Sequence, residues 1–119
     1  MSDSNCIFCK IVRGEIPAKK VYEDDEVIAF NDIRPQAPVH ILVVPKAHVA
    51  TLYDAQSAHQ SALGKMLVVA GRLAREAGAA DGFRTIINNG RIGHQEVYHV
   101  HMHVLGGTEP LGPMLSRRK

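Results

Sequence analysis

Three histidines, His99, His101 and His103, stand at alternate positions near the C-terminal end of the chain. On a strand, alternate residues project from one face, so the three imidazoles form a row with Val100, Met102 and Val104 opposite. At about 3.3 Å of rise per residue, neighbours in the row lie about 7 Å apart and the outer pair about 13 Å. That spread excludes one metal ion held by all three, because Zn–N bonds are only about 2.0–2.1 Å. At most an adjacent pair could share an ion. The row suits nucleophilic attack and proton relay, since imidazole changes charge near neutrality. A solvated sheet face of satisfied polar side chains is the competing reading; it fits a single histidine better than three in strict alternation. A second group is Cys6-Ile7-Phe8-Cys9. A C-x-x-C pair reads as metal ligands, a redox couple or inert thiols. The thioredoxin-like reading wants a strand and crossover ahead of the pair, and only five residues precede Cys6. The metal reading needs two further ligands from elsewhere in the fold.

The elements that must position these residues follow from patterning. Ile7, Phe8, Ile11 and Val12 have helical spacing, and Gly14 ends it, so residues 6–13 predict a short helix. Val21-Tyr22-Glu23 and Val27-Ile28-Ala29-Phe30 flank Asp24-Asp25-Glu26 and predict a hairpin. His40-Ile41-Leu42-Val43-Val44, between Pro38 and Pro45, predicts a buried strand. Over residues 54–77, Leu63, Met66, Leu67, Ala70, Leu73 and Ala74 recur at three and four, predicting one long helix. Val68 and Val69 widen its apolar face, Asp54 is placed as N-cap, Gly78 as the stop, and Gly71 beside Ala70 as a point of close packing. His59 is expected on the solvated face of that helix. Residues 83–87 and 98–105 predict two further strands, and residues 108–119 an extended tail ending in Arg117-Arg118-Lys119. Helix, strands, long helix, strands is the order of an α+β domain with an antiparallel sheet.

Composition narrows the function classes. The chain has 119 residues, room for one domain (1–119, core about 6–107). An apolar fraction of 45% with 22% charged residues is ordinary for a globular protein. A net charge of +2 and six aromatic residues without Trp argue against nucleic-acid binding. No apolar run approaches the roughly 20 residues of a membrane helix, so no membrane partner is expected. The polar start, Met1-Ser2-Asp3-Ser4-Asn5, lacks signal-peptide features, and a cytoplasmic location is the expectation. No lysine-bearing P-loop or metal-binding acidic cluster is visible, and Gly106-Gly107 opens no helix, which disfavours metal-dependent phosphoryl transfer.

Tyr98-His99-Val100-His101-Met102-His103-Val104-Leu105 resembles the His-x-His-x-His-x-x motif of the histidine-triad (HIT) nucleotide-binding family, most nearly its Hint branch. Ile16-Pro17-Ala18, Tyr22-Glu23-Asp24-Asp25, Ala29-Phe30-Asn31-Asp32-Ile33, Pro35-Gln36-Ala37-Pro38, His40 through Lys46 and Leu105-Gly106-Gly107 agree in order. The similarity covers residues 6–115.

The resemblance implies a homodimer joined through long helices and sheets, each subunit binding a purine nucleoside monophosphate. It implies hydrolysis of phosphoramidates, in which adenosine 5′-monophosphate is linked to an amine. His101 would attack the α-phosphorus and carry the nucleotide covalently. His99 and His103 would orient it and bind phosphate oxygens, and His40 would hydrogen-bond within the relay. Asp32 matches the ribose-binding position. Ile7, Phe8, Ile11, Phe30 and Ile33 match walls around the base, and Asn88, Gln95 and Val97 match positions lining the phosphate. The Fhit branch, with dinucleoside polyphosphates as substrates, is a sister reading. A nucleotide-binding regulatory module with little turnover is a reading from another class.

Some relatives hold a structural zinc through positions matched here by Cys6, Cys9, His48 and His99. A Cys2His2 set would be closed and tetrahedral, with no room for substrate water. His99 would then give one nitrogen to the metal and the other to the relay. Two departures stand out in Gly93-His94-Gln95-Glu96. His94 replaces a usual glycine and is expected to be an exposed loop residue. Glu96 takes a position where some relatives have serine, and would help to protonate the leaving amine.

Overall fold

A computed structural model describes residues 4–115. The expectations for Met1–Asp3 and for Arg117-Arg118-Lys119 lie outside the described residues. The elements are α1 (Ile7–Val12), β1 (Lys20–Glu23), β2 (Val27–Asn31), β3 (Val39–Pro45), α2 (Gln60–Glu76), β4 (Phe83–Ile87) and β5 (Met102–Gly106). The strands form one antiparallel sheet in the order β1-β2-β3-β5-β4.

β3 lies at the centre, and every residue in it is buried. Its continuous apolar run is explained by cover on both faces. Ile41 and Val43 face α2 and join Val27, Ala29, Met66, Ala70 and Leu73 in the larger core. Leu42 and Val44 face the other way and join Ile28, Phe30 and Phe8 of α1 in a smaller one. Alternation therefore sorts each strand between a long-helix face and a short-helix face. His40 and His103 both stand on the short-helix face, since Leu42 is paired with His103 and His40 with Leu105.

The last strand is shorter than its sequence pattern. β5 begins at Met102, not residue 98. Its pairing begins there: Val43 of β3 and Ile87 of β4 pair with Met102, β4 ends at that register, and Val44 and Pro45 of β3 go on pairing with β2 alone. Residues 98–101 approach irregularly, tied by the Val100 N–H donating to the Val49 carbonyl at 2.7 Å. The alternation still holds through this segment, for Val100, Met102 and Val104 all enter the larger core.

The long helix also starts later. Leu52–Asp54 and Ser57–His59 form separate 3-10 turns before α2. Asp54 is not its N-cap; its carboxylate accepts from the Thr51 N–H and hydroxyl in a capping box. His59 is not on a helix face. It precedes Gln60, and its Nδ1 accepts from the Gln56 N–H at 2.9 Å. At the far end Gly78 takes φ 109°, a left-handed stop that favours glycine. A Cβ at Gly71 would make ordinary contact with Phe83 at 3.7 Å, so no close approach requires glycine there. Leu67 and Val68 are 60% and 79% exposed, so the buried face is narrower than the apolar pattern. Residues 108–115 adopt no helix or strand, and the Arg84 guanidinium donates to the Gly112 carbonyl, holding this segment back against β4.

Candidate active site

Main-chain groups orient His101 and His40, and through His40 also His103, and these contacts fix where each proton lies. His101 Nδ1 is 2.8 Å from the carbonyl of His99, so Nδ1–H donates and Nε2 keeps its lone pair. His40 Nδ1 accepts from the Gln36 N–H at 2.9 Å, which puts the His40 proton on Nε2. That Nε2–H points at His103 Nδ1, 2.9 Å away, with the Asp32 carboxylate 3.4 Å to the side. His103 Nδ1 therefore accepts, and His103 carries its proton on Nε2. Burial lowers the His40 imidazole, with Asp32 opposing. Burial also lowers His103 to about 4, aided by the neighbouring His101 and His40. His40 and His103 are thus held toward neutral imidazoles in defined tautomers.

The ring centroids of His101 and His103 are 5.1 Å apart, closer than strand rise alone requires. Phe8 from α1 presents its edge to His101 at 5.0 Å and tilts against Phe30 at 5.8 Å. Beside this cluster opens a cleft of about 840 Å³. Its apolar lining includes Ile7, Phe8, Ile11, Phe30 and Ile33. Ile33 is 91% exposed, so it forms a rim and not a wall. Asp32, Arg34, His40, Asn88, His94, Glu96 and His103 give the cleft its polar lining, with Val97 among them. His101 is 5% exposed and adjoins His103 behind that lining.

Two expected residues stand elsewhere. Gln95 is 7% exposed, and its amide donates to the carbonyls of Ala50 and Val97 and accepts from the Gly90 N–H. It braces the loop and does not line the cleft. His99 is fully buried, and its Nε2 lies 2.8 Å from the Pro45 carbonyl. The nitrogen expected to join the relay is therefore spent on the main chain. His99 reaches His101 through its own carbonyl, not its ring.

The other nitrogen of His99 faces the cysteines. Its Nδ1 is 3.4 Å from Cys6 Sγ, 3.5 Å from Cys9 Sγ and 3.2 Å from His48 Nδ1, and Cys9 Sγ is 3.2 Å from His48 Nδ1. A tetrahedral ion with Zn–S of about 2.3 Å and Zn–N of about 2.05 Å has edges of roughly 3.6 Å (S–N) and 3.3 Å (N–N). The four side chains match that polyhedron in donor set and in size, so they form a cluster able to hold a metal ion. Burial raises the Cys6 thiol, so the site needs a cation to favour its thiolate. Asp32, His40 and His103 also bring ligand atoms within 4.8 Å of one another. That set fails on protons: with its Nδ1 accepting from Gln36, neutral His40 cannot also offer a lone pair at Nε2.

The Gln36 N–H and the Pro45 carbonyl carry no side-chain signature, and sequence reading gives them no role. Pro35-Gln36-Ala37-Pro38, a rigid turn just before the strand bearing His40, is the signal that points to the first.

Fold and site together define an α+β protein with a buried histidine row beside an open cleft. A model of the HIT domain matches residues 13–110. The chain belongs to the HIT family. It is 54% identical over 113 residues to the purine nucleoside phosphoramidase of Escherichia coli, covering 94% of both chains. It is 51% identical to the protein HitA of Neisseria gonorrhoeae, over 86% of this chain and 95% of that one. The structure of a histidine triad protein from Clostridium difficile superposes with a TM-score of 0.88 at 48% identity, covering 95% of this chain and 99% of the other. A HIT family hydrolase from Legionella pneumophila gives 0.85 at 47% identity, over 92% and 98%.

Proposed function

We propose that this protein hydrolyses the P–N bond of purine nucleoside 5′-phosphoramidates through a nucleotidyl-His101 intermediate. The observation that carries the reading is the hydrogen bond from His101 Nδ1 to the His99 carbonyl, which selects the tautomer whose lone pair sits on Nε2, the nucleophilic atom. The name of the Escherichia coli relative supports the substrate class. The purine would lie against Phe8 and Phe30, with Ile7, Ile11 and Ile33 about it, and the ribose hydroxyls at Asp32. His101 Nε2 would attack the α-phosphorus while the P–N bond breaks and the amine takes a proton from Glu96. His103 Nε2–H, backed by His40, would donate to a phosphate oxygen. Water would then displace His101 from phosphorus, giving up a proton to Glu96 and releasing the nucleoside monophosphate. Asn88 and Val97 would border the phosphate.

Zinc is the metal we assign to Cys6, Cys9, His48 and His99, as a closed structural site that contributes no chemistry. We further read the protein as a cytoplasmic homodimer; among the described residues no helix is long and apolar enough to cross a membrane. The test is single-turnover hydrolysis of an adenosine phosphoramidate by wild type and His101→Ala. Loss of the nucleotidyl-enzyme burst and of roughly 10³-fold or more in rate is expected. Equal rates would overturn the assignment.

A further inference from the structure

We propose that His94 selects the leaving group by binding an anionic group on the departing amine, favouring phosphoramidates of amino acids with a free α-carboxylate. This deepens the phosphoramidase reading and rests on it. His94 is the one non-glycine among the described residues with positive φ, at 62°. An L-residue is strained there, and such strain persists only where the surroundings over-determine it. They do so here. Gln95 pins the loop through three hydrogen bonds, the His94 N–H donates to the Arg91 carbonyl, and the Gln95 N–H donates to the Gly90 carbonyl. A Cβ at Gly93 would lie 2.4 Å from the Asn89 oxygen, so the preceding position is closed to any side chain. The loop thus fixes the backbone that carries the His94 imidazole, 89% exposed, into the lining of the cleft.

The cleft dictates what meets it. With the base against Phe8 and Phe30 and phosphorus beside His101 and His103, the leaving group would meet Asn88, His94 and Glu96, which also line the cleft. His94 Nε2 is 4.0 Å from Glu96 Oε2, too far for a hydrogen bond, so both keep capacity for a ligand. An α-amino acid offers nitrogen and carboxylate two bonds apart. Its nitrogen, the atom leaving phosphorus, can face Glu96 while the carboxylate accepts from the His94 ring Nε2–H. A neutral amine gains nothing from His94.

The experiment compares adenosine 5′-phosphoramidates of alanine and of alanine methyl ester, with wild type, His94→Gly and His94→Asn. Wild type is expected to favour the free carboxylate about tenfold in kcat/KM, the size of one charge-assisted hydrogen bond. His94→Gly, which relieves the backbone strain and so preserves the fold, should bring the ratio near one, chiefly through KM. His94→Asn, which tolerates the same φ and keeps a donor, should fall between. A wild-type ratio near one, or a ratio unmoved in His94→Gly, overturns the proposal. Hydrolysis of neither ester nor acid by wild type would instead overturn the phosphoramidase reading.

Discussion

At the scale of single residues, the reactive atoms are chosen by peptide groups. The His99 carbonyl settles the His101 tautomer, and the Gln36 N–H settles that of His40 and through it His103. A charged His40 or His103 would break this chain, because Nδ1 of each would turn from acceptor to donor. Both are held below the ordinary value of 6.5, His103 at about 4. Between pH 6.5 and 4 the unfolded chain therefore binds protons that the folded chain refuses. Stability is then complete above pH 6.5 and falls as pH drops toward 4. Urea midpoints at pH 7 and pH 5 check this: a clear drop is expected, and equal midpoints would mean that these rings charge freely in the fold. His40 and His103 were legible as site residues because their spacing and type set them apart. The partners that orient them were not, since main-chain groups look alike at every position.

At the scale of elements, α1 serves two purposes at once. Its N-cap and first turn carry Cys6 and Cys9, and between them Phe8 packs on His101 and on Phe30. Six helical residues cannot hold themselves as a helix in water, so the fastening must be tertiary. The smaller core holds Phe8 and Ile11, and the zinc we propose at the Cys2His2 cluster would add to this by joining α1 to His48 and His99. Cys9→Ser is expected to abolish bound metal and to lower stability by about 3 kcal/mol or more, with nucleotide affinity falling as Phe8 loses its seat. Metal analysis, thermal unfolding and nucleotide titration would read the three effects. Full nucleotide affinity in a metal-free Cys9→Ser protein would separate α1 from the site. The strands and the two helices were readable from alternation and three-four spacing. Their ends were not: β5 begins only at Met102, where its pairing with Val43 and Ile87 begins, and α2 begins only at Gln60, after two 3-10 turns of which the first is closed by the Thr51–Asp54 box.

At the scale of the whole molecule, α2 is apolar on more sides than the sheet can cover. Met66, Val69, Ala70, Leu73 and Ala74 are buried, while Leu67 and Val68, next along the same helix, stand in the open. Sequence periodicity reads both groups as one wide face, because it reports which residues avoid water and not what excludes the water. In the homodimer we propose, the partner's α2 supplies that cover. The two groups then respond differently. Met66→Ala removes a side chain 1% exposed within the subunit and should cost about 2–5 kcal/mol at any protein concentration. Val68→Asp leaves the subunit's own core untouched, and in a lone chain an exposed change of this kind stays within about 0.5 kcal/mol. In a two-fold dimer each substitution is made twice and sets two carboxylates in an apolar contact. Sedimentation should therefore give twice the chain mass for wild type and a concentration-dependent fall toward one chain for Val68→Asp. Wild type sedimenting as a single chain, or Val68→Asp keeping the wild-type mass at all concentrations, would place the dimer contact elsewhere or remove it.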